Sequence, residues 1–160
     1  MPMPGPVPTV PVRVADVSDA ATVGGLLADF NTEFEAPGPD AATLGERFTA
    51  LLARRDVVVM LSGGPEGTGF AFLTLRPTPY YAGPLAQLEE LYVRPERRDQ
   101  GTGTALLTAA VDLVRARGAG EIHINVDEVD TDARRFYERH GFVNVEPGRD
   151  YRMLCYLREL

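Results

Sequence analysis

The sequence contains no lysine, and all sixteen of its basic residues are arginine. That absence removes a Walker-type phosphate loop, a kinase-type lysine and any lysine Schiff base. Serine is nearly absent too: only Ser18 and Ser62 occur, neither inside a G-x-S-x-G nucleophile elbow. The single cysteine, Cys155, excludes an internal disulfide and fits a reducing compartment, so a cytoplasmic location is expected. With two histidines beside that cysteine, no ligand cluster at zinc spacing exists and no metal is expected. No apolar run approaches the roughly 20 residues of a membrane span, so no membrane partner is expected. Four prolines precede Val10, without a basic or apolar leader segment, and residues 1–11 read as a disordered Pro-rich tail.

Residues 12–160 then read as a single domain, long enough to enclose one core. The formal net charge of −7 argues against nucleic acid, which needs a basic face. An acidic surface suits cationic small molecules, although it also serves solubility.

Hydrophobic spacing gives the element order. Val12 to Val14 is a short strand, and Ser18 is placed to cap a helix running to about Phe30. A Pro- and Gly-rich break at 36–40 precedes a second helix from about Ala41 to Ala53. Val57 to Leu61 and Thr68 to Arg76 read as a hairpin, and Leu85 to Val93 is the next strand. Gly101 to Arg117 is the longest helix, Glu121 to Val126 a strand, and Asp132 to His140 a short helix stopped by Gly141. Phe142 to Val145 and Tyr151 to Leu157 read as two closing strands. A mixed α/β (α+β) sheet covered by helices on both faces suits that order.

The most informative segment runs from Leu91 to Thr104. A strand enters a Gly-containing turn, and the turn enters an amphipathic helix. Backbone N–H groups there, with the positive end of the helix dipole, make an anion site. Gly101 and Gly103 let the backbone approach a diphosphate, and Arg98 adds a charge-assisted donor. An ordinary strand-to-helix turn with glycines for geometry is the competing reading.

Arg98-x-x-Gly101-x-Gly103 matches the (Gln/Arg)-x-x-Gly-x-(Gly/Ala) signature of the GNAT superfamily of N-acetyltransferases. Leu88-Glu89-Glu90-Leu91-Tyr92-Val93-Arg94-Pro95-Glu96 resembles that family's fourth strand and its exit. Asp132-Ala133-Arg134-Arg135-Phe136-Tyr137-Glu138-Arg139-His140-Gly141-Phe142 resembles its A-x-x-F-Y-E-x-x-G-F segment. The resemblance covers about residues 85–145 and implies a central, mostly antiparallel sheet of about six or seven strands with about four helices.

It also implies acetyl-CoA as co-substrate and a primary amine as acceptor, joined by direct attack in a ternary complex. The pantetheine arm would pair with the backbone of Leu91, Tyr92 and Val93. The pyrophosphate would sit on the amides of Arg98, Asp99, Gln100, Gly101, Thr102, Gly103 and Thr104. The nucleotide end would lie near Arg134 and Tyr137. Two positions depart from the family. Many members have Gly where this chain has Asp99, and Asn at the cofactor where it has Asp130, which keeps a carbonyl acceptor but loses the amide donor and adds charge.

An ammonium group has a pKa of about 10, so a carboxylate acting through water is a suitable proton acceptor. Regular alternation would send Glu89 and Glu90 to opposite faces, with one of them facing the acceptor as base, Glu90 before Glu89. The alternative is that both are solvated or paired with Arg76 or Arg94. By the family pattern Tyr137 is the general acid for the departing thiolate, against a purely structural aromatic role. The Val93 N–H would polarise the thioester carbonyl.

His123 reads as core or edge packing, His140 as a favourable charge in a last helical turn, and Cys155 as buried and inert. The family builds its acceptor site from segments that here supply Asp29, Glu33, Phe34, Glu35, Tyr80 and Tyr81. Carboxylates and aromatic faces together suit a cationic or peptide amine. Two other readings remain at this point: a silent acyl-CoA-binding sensor or partner module, and an acyltransferase using longer acyl groups or an oxygen acceptor. Family members often pair through their last strands, which implies a homodimer.

Overall fold

The structure is a computed structural model that describes Met1 and residues 10–160. Most of the Pro-rich tail expected at the N-terminus lies outside the described residues. The chain divides into two compact units, Met1–His123 and Ile124–Leu160.

The first unit opens with strand β1 (Val12–Val14) and a 3-10 turn (Val17–Asp19) that leads into helix α1 (Ala20–Glu33). The residue that caps this start is Asp16, not Ser18. Its carboxylate accepts from the Ser18 amide at 2.8 Å, while Asp19 answers to the Asp16 amide at 2.9 Å, a reciprocal capping box. Helix α2 (Ala41–Leu52) is capped by Asp40, which accepts from the Thr43 amide at 2.8 Å. The two helices approach closely because both contact positions are glycine. A Cβ placed on Gly24 would lie 2.5 Å from the Gly45 backbone nitrogen.

Strands β2 (Val57–Ser62), β3 (Gly69–Arg76) and β4 (Leu85–Val93) follow, then helix α3 (Thr102–Ala116) and strand β5 (Glu121–Ile124). The sheet order is β1-β2-β3-β4-β5, with the first three pairings antiparallel. All six residues of β2 are buried, as its β-branched run predicts for a strand covered on both faces.

Helices lie on both faces of this sheet. On one, Val59, Leu61, Phe70 and Tyr92 pack against Val23, Leu26 and Phe48 of α1 and α2. On the other, α3 contacts β2, β3 and β4 and buries Leu106, Leu107, Ala110 and Val114. A side chain at Gly69 would reach Leu106 on that face, at 3.1 Å.

The second unit holds helix α4 (Thr131–Arg139). The two closing strands expected at 142–145 and 151–157 are absent, so among the described residues five strands form where six or seven were expected. The segments touch through one backbone bond, Met153 N–H to the Asn144 carbonyl at 2.7 Å, and no ladder develops. Strand preference expresses fit to a partnered surface, and these residues lack one: Leu154, Tyr156 and Leu157 are 69%, 88% and 87% exposed. Cys155, expected to be buried, is exposed for the same reason.

Candidate active site

The site is organised by an irregularity in β4. Phe72 pairs with Glu90 and Leu73 with Leu88, so Glu89 is an extra residue in the ladder. Such a bulge breaks strict alternation. Phe72 and Thr74 share a face of β3. Glu90 lies opposite Phe72, while Glu89 reaches the same face and accepts from the Thr74 hydroxyl at 2.6 Å. The expectation that the two glutamates point to opposite faces is therefore overturned. Both belong to the face that carries Phe70, Phe72 and Tyr92.

Their environments differ. Glu89 is exposed and hydrogen-bonded, whereas Glu90 is half-buried. Burial raises the Glu90 proton affinity above the ordinary carboxylate range, and the adjacent Glu89 charge raises it further. Neither glutamate is paired with Arg94, whose guanidinium meets Asp29 at 2.6 Å.

Beyond Val93 the chain makes a 3-10 turn (Pro95–Arg97) and enters α3 through two left-handed residues, Asp99 at φ 59° and Gly101 at φ 82°. The first explains why glycine suits the position of Asp99: an L-residue is strained there, and Asp is among the few that tolerate it. The first intrahelical bond of α3 runs from the Ala105 N–H to the Gly101 carbonyl, so the preceding amides are directed out of the helix start. Thr102 is buried at this start. The Gln100 side chain closes the turn on the Glu96 carbonyl at 3.2 Å. This is a donor set suited to a diphosphate.

Arg98 is already engaged. It donates to the Val93 carbonyl at 3.0 Å and to Glu33 at 2.5 Å, and lies 5.8 Å from the Tyr92 ring centre. Glu33, expected in the acceptor site, is thus tied to the residue expected on the phosphates. Phe34 is 55% exposed and packs on Phe30. Tyr80 is exposed, while Tyr81 donates its hydroxyl to Glu121 at 2.7 Å. Leu91 and Val93 pair with Ala71 and Gly69 on one side. On the other, β5 has four residues against nine in β4, which leaves part of that edge for an added extended segment.

In the second unit, Asp130 caps α4 by accepting from the Ala133 amide at 3.1 Å, a structural use for a residue expected at the cofactor. Arg134 donates to the Glu128 carbonyl at 3.0 Å. Tyr137 is buried among Phe136 and Phe142, with ring centres 5.3 and 5.5 Å away. Sequence reasoning missed Glu121 and overlooked a bond from His123 to it. Two polar residues at i and i+2 on a strand share a face, and that was the available signal. Among the described residues no group of His, Cys, Asp and Glu is placed to hold a metal, and no helix is long and apolar enough to cross a membrane.

Residues 26–142 match the family model described as the Acetyltransferase (GNAT) family. The chain belongs to that family. GNAT acetyltransferases use acetyl-CoA, so the chain is an N-acetyltransferase. It is 32% identical over 102 residues to the aminoglycoside N(6')-acetyltransferase type 1 of Klebsiella aerogenes, covering 61% of this chain and 67% of that one. It is 40% identical over 60 residues to the mycothiol acetyltransferase of Thermobispora bispora, covering 38% of this chain but only 20% of that protein. A crystallised protein of Arthrobacter sp. FB24, classed with the acetyltransferases, is 55% identical with a TM-score of 0.88, covering 94% and 96% of the two chains.

A half-buried carboxylate has a consequence for stability. With its proton affinity raised in the folded state, Glu90 contributes full stability when protonated, below the ordinary carboxylate pKa, and loses it as pH rises through the raised value. Glu90→Gln removes that loss. Its melting temperature is expected to exceed that of the parent near neutral pH, with the gap closing toward about pH 4. An equal gap at both pH values would contradict the assignment.

Proposed function

We propose that the enzyme acetylates a primary amine, of a small cationic molecule or a peptide, by direct attack in a ternary complex. The observation that carries this reading is the β4 bulge, which sets two carboxylates side by side, with the proton affinity of Glu90 raised by burial and then by the Glu89 charge. Glu90 takes the ammonium proton, through water, so that the nitrogen lone pair becomes available. As the N–C bond forms, the Val93 N–H stabilises the carbonyl oxygen that gains charge. The C–S bond then breaks, the nitrogen gives its remaining extra proton to solvent, and Tyr137 donates its phenolic proton to the thiolate before regaining one from solvent. The amides of residues 98–104 hold the pyrophosphate, and Arg98 would exchange Glu33 for it.

Calorimetry with acetyl-CoA and thiol release over a panel of amines test the scheme. Glu90→Gln and Tyr137→Phe are expected to bind acetyl-CoA within about threefold of the parent and to lose about 10²-fold in turnover or more. Binding without release from any amine by the parent enzyme would favour a silent acyl-CoA sensor. Unchanged turnover in both variants would refute the assigned roles.

The exposed apolar residues at 151–157 support a homodimer formed through that segment. Light scattering is expected to give twice the 17.4 kDa chain mass, and Leu157→Asp to give the monomer. A monomeric parent at micromolar concentration would rule this pairing out.

A further inference from the structure

The loop between β3 and β4, residues 77–84, is docked rather than loose. It rests on the turn before β5 at two places where only glycine fits. A Cβ on Gly83 would lie 2.0 Å from the Gly118 carbonyl oxygen, and one on Gly120 would lie 2.4 Å from the Tyr81 ring. Tyr81 then donates to one oxygen of Glu121 at 2.7 Å, while His123 Nε2 bonds the other. These bonds, to His123 first and then to Tyr81, hold the Glu121 carboxyl below the usual carboxylate range. The result is a pre-built pocket of about 520 Å³, walled by Arg76, Thr78, Tyr80, Tyr81, Leu85 and His123.

The pocket is less acidic than the chain as a whole, with Arg76 set against Glu121. The formal net charge is −7, yet the carboxylate at this pocket is engaged through both oxygens. Arg76, in contrast, has no carboxylate partner among the described residues. Two of the acidic side chains suited to a polycation are engaged elsewhere, Asp29 by Arg94 and Glu33 by Arg98.

Resting on the acetyl-transfer reading, we infer that this pocket is an acceptor subsite in which Arg76 holds a carboxylate, so that the acceptor is an amino acid or peptide. Arg76 pairs with Leu85 at one end of β3, and Phe72 pairs with Glu90 on the same face. Four residues of strand separate them, about 13 Å along the backbone. Arginine and glutamate side chains are long enough to extend into such a span from its two ends, which suits a small amino-carboxylate. The Tyr80 and Tyr81 rings supply flat walls for its apolar part.

The test uses matched acid and amide pairs: phenylalanine with phenylalaninamide, glycyl-phenylalanine with its amide, and kanamycin as polycation. Thiol release gives kcat/KM for each, and calorimetry gives binding of the acids to the enzyme. One acid is expected to exceed its amide by about tenfold, and whether it is phenylalanine or the dipeptide separates the two sources. Arg76→Gln is expected to raise KM for that acid about tenfold and level the pair, and Arg76→Lys to restore part of the difference. Acids and amides used equally, or kanamycin preferred with Arg76→Gln indifferent, would overturn the subsite and leave acetyl transfer standing. Acid binding that Arg76→Gln abolishes, without thiol release from any of the five amines, would support the pocket and count against the transfer reading. No acid binding by calorimetry would overturn the subsite whatever the rates.

Discussion

A single extra residue in β4 sets the chemistry of this fold. Without it, Glu89 would point away from Glu90, and the face shared by Phe70, Phe72 and Tyr92 would carry one carboxylate. With it, two negative groups share a face, one exposed and anchored by Thr74, the other half-buried. Desolvation and like charge act in the same direction on the buried one, which becomes a stronger base than a free carboxylate. The remainder of the first unit supports this placement: α1 and α2 cover one face of the sheet, α3 covers the other, and the β3–β4 register fixes which residue is extra.

Two arginines connect helix α1 to the segment that precedes α3. Arg94 joins Asp29, and Arg98 joins Glu33, so the C-terminal half of α1 is tied to the segment proposed to bind phosphate. Both pairs are partly exposed, and such pairs contribute about 0–1 kcal/mol each to stability. Their greater effect is on charge. They offset two acidic residues of α1, and an anion at the turn could replace Glu33 on the Arg98 guanidinium. The lysine-free composition suits that use, because the guanidinium fork serves a carboxylate and a phosphate with the same geometry.

Much of this was legible in the sequence, because the strongest signals were local. The order of nine elements, the strand-turn-helix at 85–116 and the family motifs at 98–103 and 132–142 all followed from nearby residues. The capping of α1 failed by two residues, since Asp16 and Ser18 are equally good cap types and only geometry separates them. The bulge was invisible because register belongs to a pair of strands, and the Glu-Glu dipeptide alone implies alternation. Asp99 looked like a departure from the family but occupies a left-handed position that tolerates it. The closing segments at 142–145 and 151–157 carry strand-like residues, but a strand also needs a partner edge. The docking of the β3–β4 loop joins residues some 40 positions apart, Tyr81 to Glu121, and no local pattern announces it.

The central claim is that Glu90 is a base of raised proton affinity because it is partly buried and because Glu89 shares its face. It is tested most directly by carbon-detected NMR titration of the Glu90 carboxyl in the parent enzyme and in Glu89→Gln. The account predicts a midpoint above the ordinary glutamate value of about 4.3 in the parent, falling part of the way toward it when the neighbouring charge is removed. A parent midpoint at the ordinary value, or one that Glu89→Gln leaves in place, would contradict it.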